Sequence, residues 1–325
     1  MGKSTLDSLE LQILHALQVD GRISFSRLGK ILGVSDQTVA RRYRRLQSDI
    51  GMSVVARLKP APLRQAEWFV RLRTAPDAAK SIAAALARRE DTSWVSLTSG
   101  GTEIVCVVRT PVVDDRRRTL LHRLANTPQV VSVTAHKILN TFVGGPVAWP
   151  GMTDELSREQ LDLLHAGLPE VDEVDEVVLG EGDRAILNAL LEDGRSSLQR
   201  LAEVSGWAEN TVRRRLEALR ANGVLFFDID VDFHLIGFDA QVLLWLQVRP
   251  QRLVQVAEAL TRHAEISFAA ATTGSTNLLA FAICRDSRHL FEYLTGEIGG
   301  LDGIGHVETA PVMQILKLAI RMTPE

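Results

Sequence analysis

Residues 20–46 read DGRISFSRLGKILGVSDQTVARRYRRL, and residues 193–219 read DGRSSLQRLAEVSGWAENTVRRRLEAL. A shift of 173 carries Asp20-Gly21-Arg22 onto Asp193-Gly194-Arg195, Gly33 onto Gly206, Thr38-Val39 onto Thr211-Val212, Arg41-Arg42 onto Arg214-Arg215 and Leu46 onto Leu219. A shift of 174 continues downstream, taking Pro76 to Pro250, Thr98 to Thr272, Gly100 to Gly274, Thr102 to Thr276 and Val133 to Val307. Self-similarity at one fixed offset identifies the chain as two copies of a single unit.

Working outward from the quoted stretch, Leu9, Ile13, Leu14 and Leu17 recur at helical spacing and stop at Asp20-Gly21, where glycine suits a helix end. A second short helix is predicted over 24–32, broken by Gly33, and Ser35 can cap a third over 36–48. The pattern then changes to strands over 69–73, 94–97, 104–108 and 130–136, with helices over 76–89 and 115–124 between them. That βαββαβ order is a ferredoxin-like sheet with helices on one face. The second copy repeats it, with strands over 242–248, 266–271, 278–283 and 304–309 and helices over 253–263 and 287–294. The expected fold is α+β: two winged helix-turn-helix modules and two ferredoxin-like domains in tandem. The expected boundaries are 1–60, 61–142, 182–232 and 233–325, joined by a linker over 143–181 with one helix over 156–165. The linker's acidic run from Glu170 to Glu181 holds no lysine or arginine and reads as a solvated spacer.

Composition agrees with several modest cores. The 325 residues are 46% hydrophobic and 24% charged, which suits globular domains rather than extended disorder. No signal core follows Met1-Gly2-Lys3-Ser4, and no apolar run approaches bilayer length, so a cytoplasmic protein is expected. Cys106 and Cys284 each sit alone in an apolar run, as small buried hydrophobes would, and no metal-ligand, nucleophile or phosphate-cradle spacing occurs. A metal, a cofactor and catalysis are therefore not expected.

The whole-chain charge of −3 gives no sign of nucleic-acid binding, but its distribution does. In a helix-turn-helix the last helix enters the major groove. Over 36–48, Val39, Tyr43 and Leu46 share the inward face, leaving Gln37, Arg41, Arg44 and Arg45 outward with Thr38 and Arg42 on the flanks. Arginine can donate two parallel bonds to guanine and glutamine can pair with adenine, while Ser35, Thr38 and spare cations suit phosphates. A solvated charged face is the plainer alternative. From Arg22 to Lys59 there are nine lysines and arginines against two acids; from Arg195 to Asp232 there are six of each. Arg213, Arg214 and Arg215 persist in the second copy, but Ala208 replaces the capping serine and Glu217-Ala218 replace Arg44-Arg45. Counterion release thus favours the first module as the stronger DNA reader.

The Asp20-Gly21-Arg22 junction, the segment Leu28 to Leu46 and the following ferredoxin-like sheet together resemble the leucine-responsive regulatory protein (Lrp/AsnC) family, in both halves. Members are typically one unit long and pair through their sheet domains, so this chain resembles a covalently fused dimer. The resemblance implies a regulator of double-stranded DNA that forms homo-oligomers and senses a small molecule, usually an amino acid, at a glycine turn. The implied effector residues are Thr98, Gly100, Gly101, Thr102 and Glu103, with Thr272, Gly274, Ser275, Thr276 and Asn277 in the second copy. A position usually aspartate is Glu103 in one copy and Asn277 in the other; hairpin turns that need glycine for backbone reasons are the competing explanation. The chain is also similar in plan to siroheme decarboxylases. That enzyme reading would require His122, His136, His263 or His306 to converge with arginines on a tetrapyrrole pocket.

Overall fold

The computed structural model describes residues 6–75, 77–112, 120–125, 127–144, 149, 151, 155–172, 174 and 176–317. The first repeat runs α1 (Ser8–Val19), α2 (Phe25–Leu32), α3 (Asp36–Ile50), β1 (Ser53–Leu58), β2 (Gln65–Thr74), α4 (Ala79–Ala87), β3 (Thr92–Thr98), β4 (Glu103–Pro111), α5 (Leu120–Ala125) and β5 (Val130–Val143). After α6 (Arg158–His165), the second runs α7 (Glu181–Glu192), α8 (Leu198–Ser205), α9 (Glu209–Ala221), β6 (Leu225–Asp230), β7 (Ala240–Val248), α10 (Leu253–Leu260), β8 (Ile266–Thr272), β9 (Leu278–Cys284), α11 (Ser287–Tyr293) and β10 (Ile304–Lys317). The predicted start of the helix over 115–124 lies partly outside the described residues, as do Pro76 and the Pro/Gly stretch over 145–148. No helix among the described residues is long and apolar enough to cross a membrane.

The five segments expected from the sequence gather into two compact units, one holding Met1–Pro62 with Gly145–Asp239 and the other Leu63–Gly144 with Ala240–Arg321. In the first unit each module packs three helices around Ile13, Leu14, Leu17, Leu28, Val39 and Leu46, or their counterparts Ile186, Leu187, Leu190, Leu201, Val212 and Leu219. Gly33 and Gly206 sit in left-handed backbone (φ 68° and 70°) between the second and third helices of each module. β1 and β6 were not expected as strands. In β1, Val54, Val55 and Ala56 are all buried, so the residue-by-residue alternation that signals a half-exposed strand is missing there, whereas β6 does alternate, with Leu225, Phe227 and Ile229 buried. The two strands pair antiparallel with each other, Ser53 opposite Asp230 through Leu58 opposite Leu225.

In the second unit the strand order β5-β2-β4-β3 and its copy β10-β7-β9-β8 are both ferredoxin-like, and the two sheets join edge to edge into one closed barrel. The joins are β5 with β8 and β10 with β3. Ile138 opposite Thr272 and Val312 opposite Thr98 are equivalent pairs under the 174-residue shift, so the halves are related by a pseudo-two-fold. Closure satisfies the edge strands that each sheet would otherwise expose. Alternation along the strands then sorts side chains: Val70, Leu72, Ile104 and Cys106 lie in a core with α4 and α5, while Phe69, Arg71, Val105 and Val107 point into the barrel. A matching core in the other half includes Val242, Leu244, Leu246 and Cys284. β5 and β10 run well past their predicted ends, because those extensions carry the joins between the halves.

Candidate nucleic-acid interface and effector region

The third helix of the first module is terminated cleanly at both ends. Ser35 Oγ accepts from Thr38 N at 3.1 Å, and Gly51 adopts left-handed backbone (φ 62°) after Ile50. Val39, Tyr43, Leu46 and Ile50 are buried against the module, which turns Gln37, Arg41, Arg44 and Arg45 to the outside. The side chains of Ser35 and Thr38 bond each other at 2.9 Å at the helix N-terminus, where backbone N–H groups favour anions. Arg45 also reaches Asp49 at 3.1 Å and Glu10 at 3.2 Å.

Of the two arginines that reach Glu10, Arg42 is the less exposed, 22% against 50% for Arg45. Its guanidinium bridges Asp7 at 2.6 Å and the buried Glu10 at 2.9 Å, tying α3 to the start of α1. The hydrogen bond to Glu10, more than any other influence, raises its pKa. Arg215 repeats this with Asp183, 2.6 Å away, which is Glu10 shifted by 173. Helical phase groups Arg42 with the DNA contacts, and the repeat offset adds Arg215; neither reveals that a partner acid waits one helix away. In the second module Arg213 and Arg214 remain exposed, but Ala208 offers no cap to α9.

The Asp-Gly-Arg sequence that revealed the repeat has a role that its sequence does not disclose. Arg22 donates to Gly194 O at 2.6 Å and Ser196 O at 3.0 Å, and Arg195 donates reciprocally to Gly21 O at 2.6 Å and Ile23 O at 2.9 Å. Each guanidinium also lies over an aromatic ring of the other module, Arg22 over Phe227 (5.6 Å) and Arg195 over Phe25 (4.6 Å). Gly21 does not end α1 in a left-handed turn; Asp20 is the cap. The glycine is required because a Cβ there would stand 2.7 Å from Val54 Cγ1 and 2.8 Å from Phe227 Cβ, and one on Gly194 would stand 2.8 Å from Val54 O. The motif is a clasp between the two modules.

α6 belongs to the same unit and packs on α1 and α2 of the first module. Arg27 donates to Leu163 O at 2.5 Å, and Gln160 reaches Ile31 O at 3.3 Å. Arg27 is thereby committed to the end of the linker helix.

In the second unit the implied effector turns are built as hairpin connections. Gly100, Gly101 and Gly274 have φ of 73°, 83° and 113°, which a side chain would strain. Glu103 is buried; its carboxylate receives Arg71 at 2.5 Å and the hydroxyls of Thr98 and Ser99 at 3.2 Å each. Asn277, its counterpart, accepts from Val248 N at 2.8 Å and donates to Val248 O at 2.9 Å. Thr272 Oγ1 donates to Thr276 O at 3.2 Å and Thr102 Oγ1 to Ser99 O at 3.0 Å, while Gly274 and Ser275 are exposed. The side chains at the two diagnostic positions thus bond within the fold. Arg71 continues to both carboxylate oxygens of Glu308, and this bonding raises its own pKa and lowers that of Glu308.

The candidate histidines occupy separate environments. His136 is buried in the barrel, its Nδ1 2.6 Å from Thr273 O and its ring on Trp245; His263 bonds Tyr293 Oη at 2.9 Å in the helix-covered core; His306 is exposed. The side chain of His122 lies outside the described residues. Burial pushes both Cys106 and Cys284 up to about 12, consistent with their expected packing role.

Comparison with known proteins places these features. The model of the AsnC-type helix-turn-helix domain matches residues 6–47 and 179–220, and that of the Lrp/AsnC ligand binding domain matches 241–321; together they take in half of the chain. An HTH-type transcriptional regulator of Pyrococcus furiosus is 29% identical over 141 residues, 43% of this chain and 95% of that protein. LrpA of Pyrococcus abyssi is 26% identical over the same length, 43% of this chain and 100% of that protein. Each relative is thus one unit long. The crystal structure of the siroheme decarboxylase NirDL with an iron-uroporphyrin III analogue is 13% identical, covers 97% of this chain and 94% of that one, and has a TM-score of 0.64, a likeness of fold over both repeats. With two AsnC-type helix-turn-helix modules clasped through their Asp-Gly-Arg segments and a matching ligand-binding domain, this chain belongs to the Lrp/AsnC family.

Proposed function

We propose that the chain is a sequence-specific transcriptional regulator of double-stranded DNA, not an enzyme, and that it is modulated by a small molecule. The observation that carries this reading is the outward row Gln37, Arg41, Arg44 and Arg45 on a capped third helix whose other face is fully buried. Those four contact bases and phosphates, Ser35 and Thr38 position the helix end on the backbone, and Arg42 and Arg215 act indirectly by fixing the third helices. Arg213 and Arg214 supply weaker phosphate contacts. Because the clasped modules differ, one chain presents unequal readers to the two half-sites, and a homodimer of chains would bring two first modules together.

A decarboxylase reading rests on fold likeness alone. Against it, His136, His263 and His306 occupy three different settings. The barrel cavity, about 90 Å³, also falls well short of the roughly 300–1,000 Å³ of pockets that take drug-sized ligands. The test is selection of bound DNA from a random pool by the purified chain at two salt concentrations. Enrichment of a common sequence, with log affinity falling linearly against log salt, is expected. A flat pool at both salts would refute the regulator reading, and an absorbance change on adding siroheme would then favour the enzyme.

A further inference from the structure

We infer that the β1–β6 ribbon is an interaction surface that admits only unlike modules, a first with a second, and that Arg57, Asp228 and Asp230 set this choice. The 173-residue shift holds through the ribbon, carrying the buried Val54, Ala56 and Leu58 onto the buried Phe227, Ile229 and Val231. It also carries Val55 onto Asp228, the residue directly opposite it, so the pseudo-two-fold between the modules passes through that pair. Contacts that repeat across such an axis cannot tell one module from the other. The Asp-Gly-Arg clasp is of this kind: Arg22 and Arg195 each donate to equivalent carbonyls, and Arg22 could meet Gly21 O of a second copy as it meets Gly194 O here.

Partner choice therefore falls to positions where the repeats differ, and one face of the ribbon differs in sign. β1 presents Ser53, Val55 and Arg57 on that face, and β6 presents Phe226, Asp228 and Asp230. Asp230 is Arg57 carried by the shift, and the guanidinium reaches Asp230 at 2.5 Å and Asp228 at 3.8 Å from a side chain only 12% exposed. Burial raises the pKa of Asp230, and Arg57 opposes that rise.

Pairing of like modules in the same arrangement would lose this match. Two first modules would bring together two copies of Arg57 with no acid on the face. Two second modules would set Asp228 directly opposite Asp228, with an Asp230 to either side, and like charges opposed across a ribbon destabilise it. Arg220 adds to the discrimination: it bonds Asp20 at 3.0 Å, whereas its equivalent in the first module is the uncharged Gln47. The partner that fits each module is thus the other module, and two copies of the chain must associate through another surface. The inference concerns assembly and is tested without DNA, so its failure would leave the regulator reading untouched.

The test is charge reversal in the full-length chain. Arg57→Asp should lower the folding equilibrium constant of the first urea transition at least about tenfold, and Asp230→Arg less, because Asp228 remains to receive the cations. The double reversal Arg57→Asp/Asp230→Arg should recover most of that loss. Partner choice is read by refolding together two chains, one carrying Asp230→Arg with Leu58→Cys and the other Arg57→Asp with Leu225→Cys. Leu58 and Leu225 are opposite each other, and Cys106 and Cys284 are buried, so a disulfide joining the two chains reports β1 of one paired with β6 of the other. Each chain alone holds like charges in its own ribbon, whereas both ribbons formed between the two are complementary. The mixed disulfide should be at least about fivefold more abundant than between chains bearing the cysteines alone, whose ribbons close within each chain. A double reversal no more stable than Arg57→Asp, or a mixed disulfide no more abundant than in that control, overturns the inference, and both are readable even if neither single variant folds by itself.

Discussion

Substituting Arg22 by alanine should loosen the junction between the two helix-turn-helix modules. The side chain makes two charge-assisted hydrogen bonds, to Gly194 O (2.6 Å) and Ser196 O (3.0 Å), and stacks over Phe227. At about 1.5–3 kcal/mol per charged bond and 0.5–1 for the ring contact, the gross interaction is some 4–7 kcal/mol. Against it stands the cost of holding a cation here: burial is the largest influence lowering the Arg22 pKa, followed by repulsion from Arg195 and Arg220. A net loss of about 3 kcal/mol is expected for Arg22→Ala, and a similar one for Arg195→Ala. Since Arg22 and Arg195 repel, each single substitution also relieves that repulsion, and the double variant should lose more than the sum of the singles. Urea unfolding of the full-length chain, followed at its first transition, measures all three. Loss of less than about 1 kcal/mol in both single variants, or strict additivity in the double, would refute the clasp as a stabilising device.

The remaining expectations concern the same elements. Arg41→Ala/Arg44→Ala should weaken DNA at least about tenfold and lower the salt slope by roughly two, whereas Arg213→Ala/Arg214→Ala should change both less; equal losses in a fluorescence titration would remove the asymmetry between modules. Gly21→Ala should cost about 2 kcal/mol or more in thermal unfolding, because its Cβ would press on Val54 and Phe227 inside the clasp, while alanine at Gly182, facing the ring of Trp207, tests whether any crowded glycine behaves alike. Ala208→Ser should stabilise the chain by about 0.5–1 kcal/mol by restoring the cap that α9 lacks, and no gain in the melting temperature would show the end to be satisfied otherwise. Arg71 lowers the pKa of Glu308, so this pair's contribution is present above the usual carboxylate range and is lost as pH falls through the folded value. Glu308→Gln should flatten that acid limb by about 1 kcal/mol or less, since the carboxylate is partly exposed.

Local chemistry made much of this protein readable from its sequence. The capping residue Ser35, the turns at Gly33 and Gly206, and the inward positions Val39, Tyr43 and Leu46 depend on contacts within a few residues, so spacing alone reveals them. The same holds for the βαββαβ order of each half and for the difference in charge between the recognition helices, which the repeat offset exposes directly. What lay beyond reach shares one cause: the partner comes from the other repeat or from another helix. Arg42 looks like its neighbour Arg41 until α1 brings Glu10 beside it. Arg22 looks like one more groove cation until the second module presents Gly194 O. Glu67, Trp94, Arg109 and Phe281 carry no motif, and they converge because β5 meets β8 and β10 meets β3, closing two sheets into one barrel. The sequence by itself determined the repeated elements and the exposed cations, since hydrophobic period and capping act along the chain. Only tertiary structure decided which cations are already bound and where a cavity remains, since both depend on which distant residues the two repeats bring together.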